Sequence, residues 1–344
     1  MGKAHLIFGV KRTLTMWAVL AVVGAVAGAC GQAPGEQTES TQGALTGRPI
    51  MDTHIHIFQV TRPGGVPWPP PTSPLYHDSL PAPYKAMAQP LGITSTGIVE
   101  ASPLNSDTEW ILNQIVGDPF FKWYVAQLDL GSTDFLRNLN HIGTFPQVVG
   151  IRGFLWSPTL TLDATQVANL HRLADRGMSL DIISRYSLNP KSLVDKMATL
   201  VPNLRIIIDH LAGAKFQDID PQWASDMQML AKHPNIYIKF SAFFDMFNPS
   251  PTGDESAPWT APKNVEPYLP HFKFLMDTFG PNRLIWGSNY PVVTLAGTAA
   301  EEIAIAEAFL SRYSTCVRDK VMRLNAVDFY RRHQPEDQHG DGCQ

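Results

Sequence analysis

The chain is poor in cysteine, with Cys30, Cys316 and Cys343 the only three among 344 residues. Three thiols build no disulfide framework, so a packed core has to hold the fold, and no essential bridge is expected. Charged residues are also scarce, at 17% of the sequence, and the formal net charge is −4. With no basic stripe to track a phosphate backbone, nucleic acid is excluded as a partner. No GxGxxG or P-loop opens the first strand-like run, which argues against a doubly wound nucleotide-binding sheet. Glycine and proline, 25 and 28 residues, are dispersed, so neither a collagen-like nor a low-complexity chain fits. What remains is 44% hydrophobic and includes 8 Trp and 17 Phe, more than a disordered chain carries.

The N-terminus has its own organisation. Lys3, Lys11 and Arg12 precede an apolar run at 16–29 that ends Ala27-Gly28-Ala29-Cys30. The run falls short of the roughly 20 residues of a comfortable spanning helix, but suits the apolar region of a signal peptide. Small residues before Cys30 make residues 1–30 a lipoprotein leader, with Cys30 lipidated and the body exported. An uncleaved anchor helix is the alternative, and it exports the body too. Loss of the three leader cations takes the formal charge from −4 to −7. Residues 31–48, without an aromatic, read as a flexible tether, and 333–344 as a polar, disordered tail.

Between these ends short β-rich runs alternate with helical patterns. Strands are expected at 50–55, 95–101, 122–128, 148–155, 179–183, 204–208, 236–240 and 284–286. Helices are expected at 107–116, 134–141, 163–176, 190–200, 222–232, 266–279, 298–312 and 316–332. This alternation predicts one α/β domain over 49–332, a (β/α)8 TIM barrel. Two connections are long, 59–82 and 243–263, and loops of that kind overlie the C-terminal mouth of a barrel. Trp68, Tyr76, Phe247 and Trp259 are read there either as lid residues or as caps on the barrel.

Chemistry concentrates at predicted strand ends. In Met51-Asp52-Thr53-His54-Ile55-His56, alternation puts Asp52, His54 and His56 on one face, where two imidazoles can converge on a metal or a substrate oxygen. An apolar strand ends in Asp209-His210, and alternation gives His210 to the mouth and Asp209 to the opposite face. Further strand-end candidates are Glu100, Arg152, Asp181, Lys239, Ser241 and Asn289. Arg152 suits a substrate carboxylate, or an internal ion pair with Asp181 or Glu100. Lys239 is either a fixed positive charge or a snorkelling stem. His141, His171, His233 and His271 fall far from strand ends and are expected on the surface.

The HxH, GIRGF, IDHLAG, YIKFS, WGSNYP and NAVDFY motifs occur in an order that resembles the amidohydrolase-related TIM-barrel hydrolases. The nearest branch includes 2-pyrone-4,6-dicarboxylate lactonase and sugar lactonases, and the resemblance spans about 50–330. It implies that His54 and His56 line the site, with His210 as a further ligand or electrophile. A divalent metal such as zinc is held by these three, or none where the enzyme is metal-independent. The eighth-strand motif of such relatives carries an Asp that moves the proton, whereas this chain has Asn289. An amide cannot accept and return a proton near neutral pH. Either another carboxylate takes that role, with Glu100 and Asp181 ahead of Asp209, or His210 does, or hydrolysis is lost and the site only binds. The expected activity is hydrolysis of a small anionic cyclic ester. A decarboxylase-type lyase and a non-catalytic binding lipoprotein are the alternatives.

Overall fold

A computed structural model describes residues 47–153, 162–183, 191–216, 218–250, 253 and 255–332, all within the compact unit Glu39–Gln344. The leader, Cys30, most of the tether and the tail from residue 333 lie outside the described residues, as do residues 154 and 155 of the expected fourth strand. Eight strands run parallel, each paired with the next in chain order: β1 (Ile50–Ile55), β2 (Ile93–Val99), β3 (Phe121–Gln127), β4 (Val148–Gly153), β5 (Ser179–Ile182), β6 (Ile206–Ile208), β7 (Ile236–Ser241) and β8 (Leu284–Gly287). Beyond the last strands His56 N–H donates to the Tyr290 carbonyl at 2.7 Å, and lower down Thr53 Oγ1 donates to the Trp286 carbonyl at 2.6 Å. The sheet is thereby closed nearly all the way round, as a (β/α)8 barrel. Strands buried on both faces read as apolar runs, and the three isoleucines of β6 are an extreme case.

Helices follow the strands: α1 (Pro81–Ala88), α2 (Asp107–Ile115), α3 (Phe135–Ile142), α4 (Ala164–Asp175), α5 (Lys191–Leu200), α6 (Pro221–Leu230), α7 (Leu269–Phe279) and α8 (Ala299–Leu310). Two begin with reciprocal capping boxes, Asp163 with Gln166 and Thr298 with Glu301, which fix where the chain turns from loop to helix. Helix α1 is a departure from expectation. Pro81 and Pro83 disguise it as loop, yet proline is tolerated in a first turn, where the N–H has no helical partner anyway. The expected terminal helix is also broken, into α9 (Thr315–Asp319), a wider π turn over Lys320–Leu324, and α10 (Asn325–Phe329).

Behind α10, Tyr330 enters the barrel and stacks on Trp123 with ring centroids 5.0 Å apart, among Met51, Val125, Ile207 and Ile285. Gly97 makes room for that indole, since a Cβ there would lie 1.9 Å from Trp123 Nε1. Two sequence expectations are corrected. His271 is buried, edge-on to Trp223 at 5.4 Å, because its face of α7 packs on α6. Cys316 is disulfide-bonded; too few cysteines for a framework still leaves enough for one bridge.

Candidate active site

The first strand supplies the centre. A register shift against β2 between Asp52 and Ile55 breaks simple alternation, so Asp52 and the histidines part company. Asp52 faces away from the mouth: its Oδ2 accepts from Tyr84 on α1 at 2.7 Å and its Oδ1 from the Ser288 N–H at 2.8 Å. It therefore ties the end of β1 to the turn after β8. The His54 ring lies 5.0 Å from that of His56 and 4.6 Å from that of His210. Gly287 permits the close approach of β8, because a Cβ there would lie 2.8 Å from His54 Cβ.

The end of β6 corrects the reading of Asp209. Asp209 is extended at φ −66°, but His210, Leu211 and Ala212 follow at φ 57°, 51° and 53°. A left-handed turn cancels strand alternation, so Asp209 and His210 both face the mouth. Ala242 after β7 and Asn289 after β8 are left-handed as well, at φ 54° and 57°. Such backbone costs about 1–2 kcal/mol per non-glycine residue, and here it collects at three neighbouring strand ends. Asn tolerates that conformation better than most residues, which suits position 289.

Hydrogen bonding separates these groups. His56 Nδ1 lies 3.0 Å from the Val99 carbonyl. A carbonyl only accepts, so Nδ1 carries the proton and Nε2 keeps its lone pair. His210 Nδ1 sits 3.0 Å from Ser241 Oγ. By contrast, both ring nitrogens of His54, both carboxylate oxygens of Asp209 and Oδ1 of Asn289 are buried without a hydrogen-bond partner. His54 Nδ1 and Asp209 Oδ1 approach only to 3.5 Å. One donor atom each from His54, Asp209 and His210 lies within 4.8 Å of the others. Buried polar atoms are rarely left unmatched, and two imidazoles with a carboxylate form a donor set that fits a zinc-like cation. Burial lowers the pKa of His54 and His210 well below the usual imidazole range, helped for His54 by the charge of Lys239, and lowers that of His56 to about 3. Neutral imidazole is the form that coordinates.

The other sequence candidates divide. Arg152 lines the mouth, and its Nε donates to Glu100 Oε1 at 2.6 Å while NH1 lies 3.8 Å from Asp209 Oδ2. Glu100 and Asp181, carboxylate candidates for the proton, and Lys239, the candidate fixed charge, are buried and stand outside the mouth lining. Lys239 Nζ lies 3.3 Å from the Thr53 carbonyl and 3.4 Å from Asp181 Oδ2, and bonds the Tyr330 hydroxyl. Burial raises the Asp181 carboxyl to about 6 against the opposing charge of Lys239, and raises that of Glu100 against Arg152.

Above these groups opens a cavity of about 400 Å³, whose lining includes His56, Arg152, His210, Asn289 and Trp68. Of the four aromatics expected over the mouth, Trp68 lies edge-on to His56 at 5.5 Å, and Trp259 donates its Nε1–H to the Phe244 carbonyl at 2.8 Å. Phe247 stacks on Phe216 at 4.2 Å, and Tyr76 is 37% exposed. His141 and His171 are exposed, and His233 pairs with Asp195 at 2.7 Å.

A family model for amidohydrolases matches residues 51–332. The chain belongs to the amidohydrolase family. It is a hydrolase of that family, and 30% identical over 298 residues to an L-fucono-1,5-lactonase of Burkholderia ambifaria, covering 84% of this chain and 98% of the relative. Two solved structures share its fold. One is an amidohydrolase of Burkholderia multivorans with bound zinc, with a TM-score of 0.68 and 18% identity over 82% of this chain and 99% of that one. The other is a 2-pyrone-4,6-dicarboxylic acid hydrolase-like protein of Acinetobacter baumannii with citric acid bound, with a TM-score of 0.60 and 17% identity over 82% and 98%.

In this amidohydrolase, sequence reasoning underrated Asp209 and gave Tyr330 and Tyr84 no role. The Asp-His pair after an unbroken apolar strand was the available signal for Asp209. Tyr84 lay inside the helix that its prolines hid.

Proposed function

We propose that the chain hydrolyses the ester bond of a small lactone in the mouth cavity. The observation that carries this reading is the convergence of His54, Asp209 and His210 with unmatched buried donor atoms beneath that cavity. Similarity to a lactonase along almost the whole of that relative supports the bond type. His54, Asp209 and His210 would hold a divalent cation, which supplies polarisation of the ester carbonyl and a more acidic water. Asp209 replaces Glu100 and Asp181 as the carboxylate that takes the proton of the attacking water, since Asp181 is held by Lys239 and Tyr330 and one Glu100 oxygen by Arg152, whereas neither Asp209 oxygen is hydrogen-bonded. Water oxygen bonds to the carbonyl carbon, the ring C–O bond breaks, and the proton passes to the departing ring oxygen to leave a hydroxy acid. His56 presents its Nε2 lone pair to orient the water, and the Asn289 amide holds the reacting ester without carrying the proton. Arg152 meets the negative charge that the reaction creates, so the anionic substrate expected from the sequence is not needed to explain it.

The test is a lactone panel followed by release of acid, on wild type before and after chelation. Ring opening that chelation abolishes and added zinc restores is the expected result. Inertness to every lactone, with release of carbon dioxide from carboxylated substrates, would replace hydrolysis by C–C cleavage. A binding-only role has Asn289 in its favour, and ligand retention without turnover would establish it.

We further infer an exported, lipid-anchored protein. The leader pattern ending at Cys30 supports this. Labelled palmitate should enter wild type and not Cys30→Ser; equal labelling of both would refute it.

A further inference from the structure

The polar groups of the cavity are unevenly placed. His56, Arg152, His210 and Asn289 belong to strand ends at its floor. Away from the floor the exposed wall is predominantly apolar among the described residues, with Trp68, Pro103, Ile183, Ala214, Met246 and Val292 contributing. The charged residues contributed by the loop after β7 are acids, Asp245 and Glu255. Trp68 is held from behind, packed with Leu75, Val292 and Leu295 and edge-on to Phe58 at 5.4 Å. Beside Met246 the apolar surface continues outward. Phe216 N–H donates to the Met246 carbonyl at 2.8 Å, and its ring stays 49% exposed while stacking on Phe247.

We infer that the substrate is a lactone bearing an uncharged apolar substituent, alkyl or aryl, seated against Trp68, Met246 and Val292. This rests on the lactonase reading above and narrows it. Among the described residues of that wall, Pro103, Ile183, Ala214, Met246 and Val292 offer the hydroxyls of a polyhydroxylated lactone no partner, and Asp245 and Glu255 accept from at most a few of them. Each hydroxyl that loses water without gaining a protein partner is penalised. A carboxylated lactone would bring its charge to a lining in which Asp245 and Glu255 are acids, Asp245 partly offset by Lys215. Arg152 is the one cation of the described lining, and it is paired with Glu100 and already assigned to the charge that forms at the ester. An alkyl or aryl group has no such requirement and gains from leaving water. A volume of about 400 Å³ lies in the range of about 300–1,000 Å³ typical of small-molecule sites, so ring and substituent can be taken together.

The experiment compares kcat/KM for δ-valerolactone, a series of its 5-alkyl derivatives, a 5-phenyl derivative, a polyhydroxylated sugar lactone and a carboxylated lactone. Wild type, Trp68→Ala and Met246→Ala are assayed in parallel. For wild type, kcat/KM should rise about fourfold per methylene over the first three or four carbons, the factor expected for burying one CH2. In each variant that gradient should fall below about twofold per methylene. A flat alkyl series, or a tenfold preference for the hydroxylated or carboxylated lactone, would overturn the inference and leave the lactonase reading intact. Gradients unchanged in both variants would overturn the assigned seat. Failure of wild type on every lactone would overturn the lactonase reading itself.

Discussion

Two polar clusters are buried inside the same barrel, one in its lower part and one at the mouth, and they differ in how their hydrogen bonds are met. Below, Lys239, Asp181 and Tyr330 satisfy one another, with the Thr53 carbonyl completing the set. Above, His54 and Asp209 are equally inaccessible to solvent, yet all four of their side-chain polar atoms lack a hydrogen bond. Burial is the same in both places, so it does not distinguish structure from function; a cluster of unmatched atoms does, where scattered single ones such as Trp286 Nε1, His271 Nδ1 and Glu302 Oε2 do not. Folding alone selects against unmatched buried atoms. Their concentration at the mouth, beside the left-handed backbone of His210 and Asn289, marks atoms kept for something that binds.

This contrast can be broken from either side. The largest effect is expected at the mouth. Asp209→Asn should lower kcat for lactone opening by at least about 10³-fold, because proton transfer and charge are lost together. Its Tm should stay within a few degrees of wild type, since Asp209 makes no hydrogen bond to lose and Arg152 keeps Glu100. A Tm collapse in thermal melts would show that Asp209 is structural instead.

The lower cluster should behave the other way. Lys239→Met leaves Asp181 buried without its cation, a loss of about 3–5 kcal/mol. At about 2–4 °C per kcal/mol for a domain of this size, Tm should fall by roughly 10 °C. The double variant Lys239→Met/Asp181→Leu should recover most of that, as replacement of a whole buried pair is often neutral. No recovery would mean that the pair has a role besides pairing.

Gly287→Ala sharpens the contrast by displacing His54 without altering any donor. The added Cβ would lie 2.8 Å from His54 Cβ and 3.0 Å from its backbone nitrogen. A stability loss of about 1–3 kcal/mol is expected, with a further drop in kcat seen at temperatures where the variant is fully folded. Normal kcat in the folded variant would show that the position of His54 is not critical.

The smallest effect concerns Glu302, a buried carboxyl outside both clusters. Its Oε1 accepts from the Phe243 N–H at 2.7 Å, and burial raises its pKa well above the ordinary carboxylate value. The stability it contributes is complete below the unfolded pKa of about 4.3 and is lost as pH rises through the higher folded value. Glu302→Gln should therefore match wild type in melts near pH 4 and exceed it by a few degrees near pH 8. The opposite pH trend would contradict a carboxyl that burial holds neutral.

The barrel was legible because each strand is a short apolar run and each helix has a 3.6-residue stripe; strand starts and ends differ by only a residue or two. His54, His56 and His210 were legible because they stand at strand ends. Asp209 was not, because the alternation that hides it fails only where three successive residues turn left-handed, and nothing in His-Leu-Ala announces such a turn. The fate of Lys239 was equally opaque. Whether a strand-end lysine reaches the mouth or the interior depends on Asp181 and on Tyr330, which lies 91 residues further along the chain. Helix α1 was lost to its own prolines.

The most direct test of the contrast is metal uptake, measured by equilibrium dialysis of stripped protein against zinc with elemental analysis. Wild type and Lys239→Met should each take up one equivalent, and Asp209→Ala and His54→Ala should take up none at the same free zinc. Equal uptake by all four proteins would mean that the unmatched atoms at the mouth are not kept for a cation.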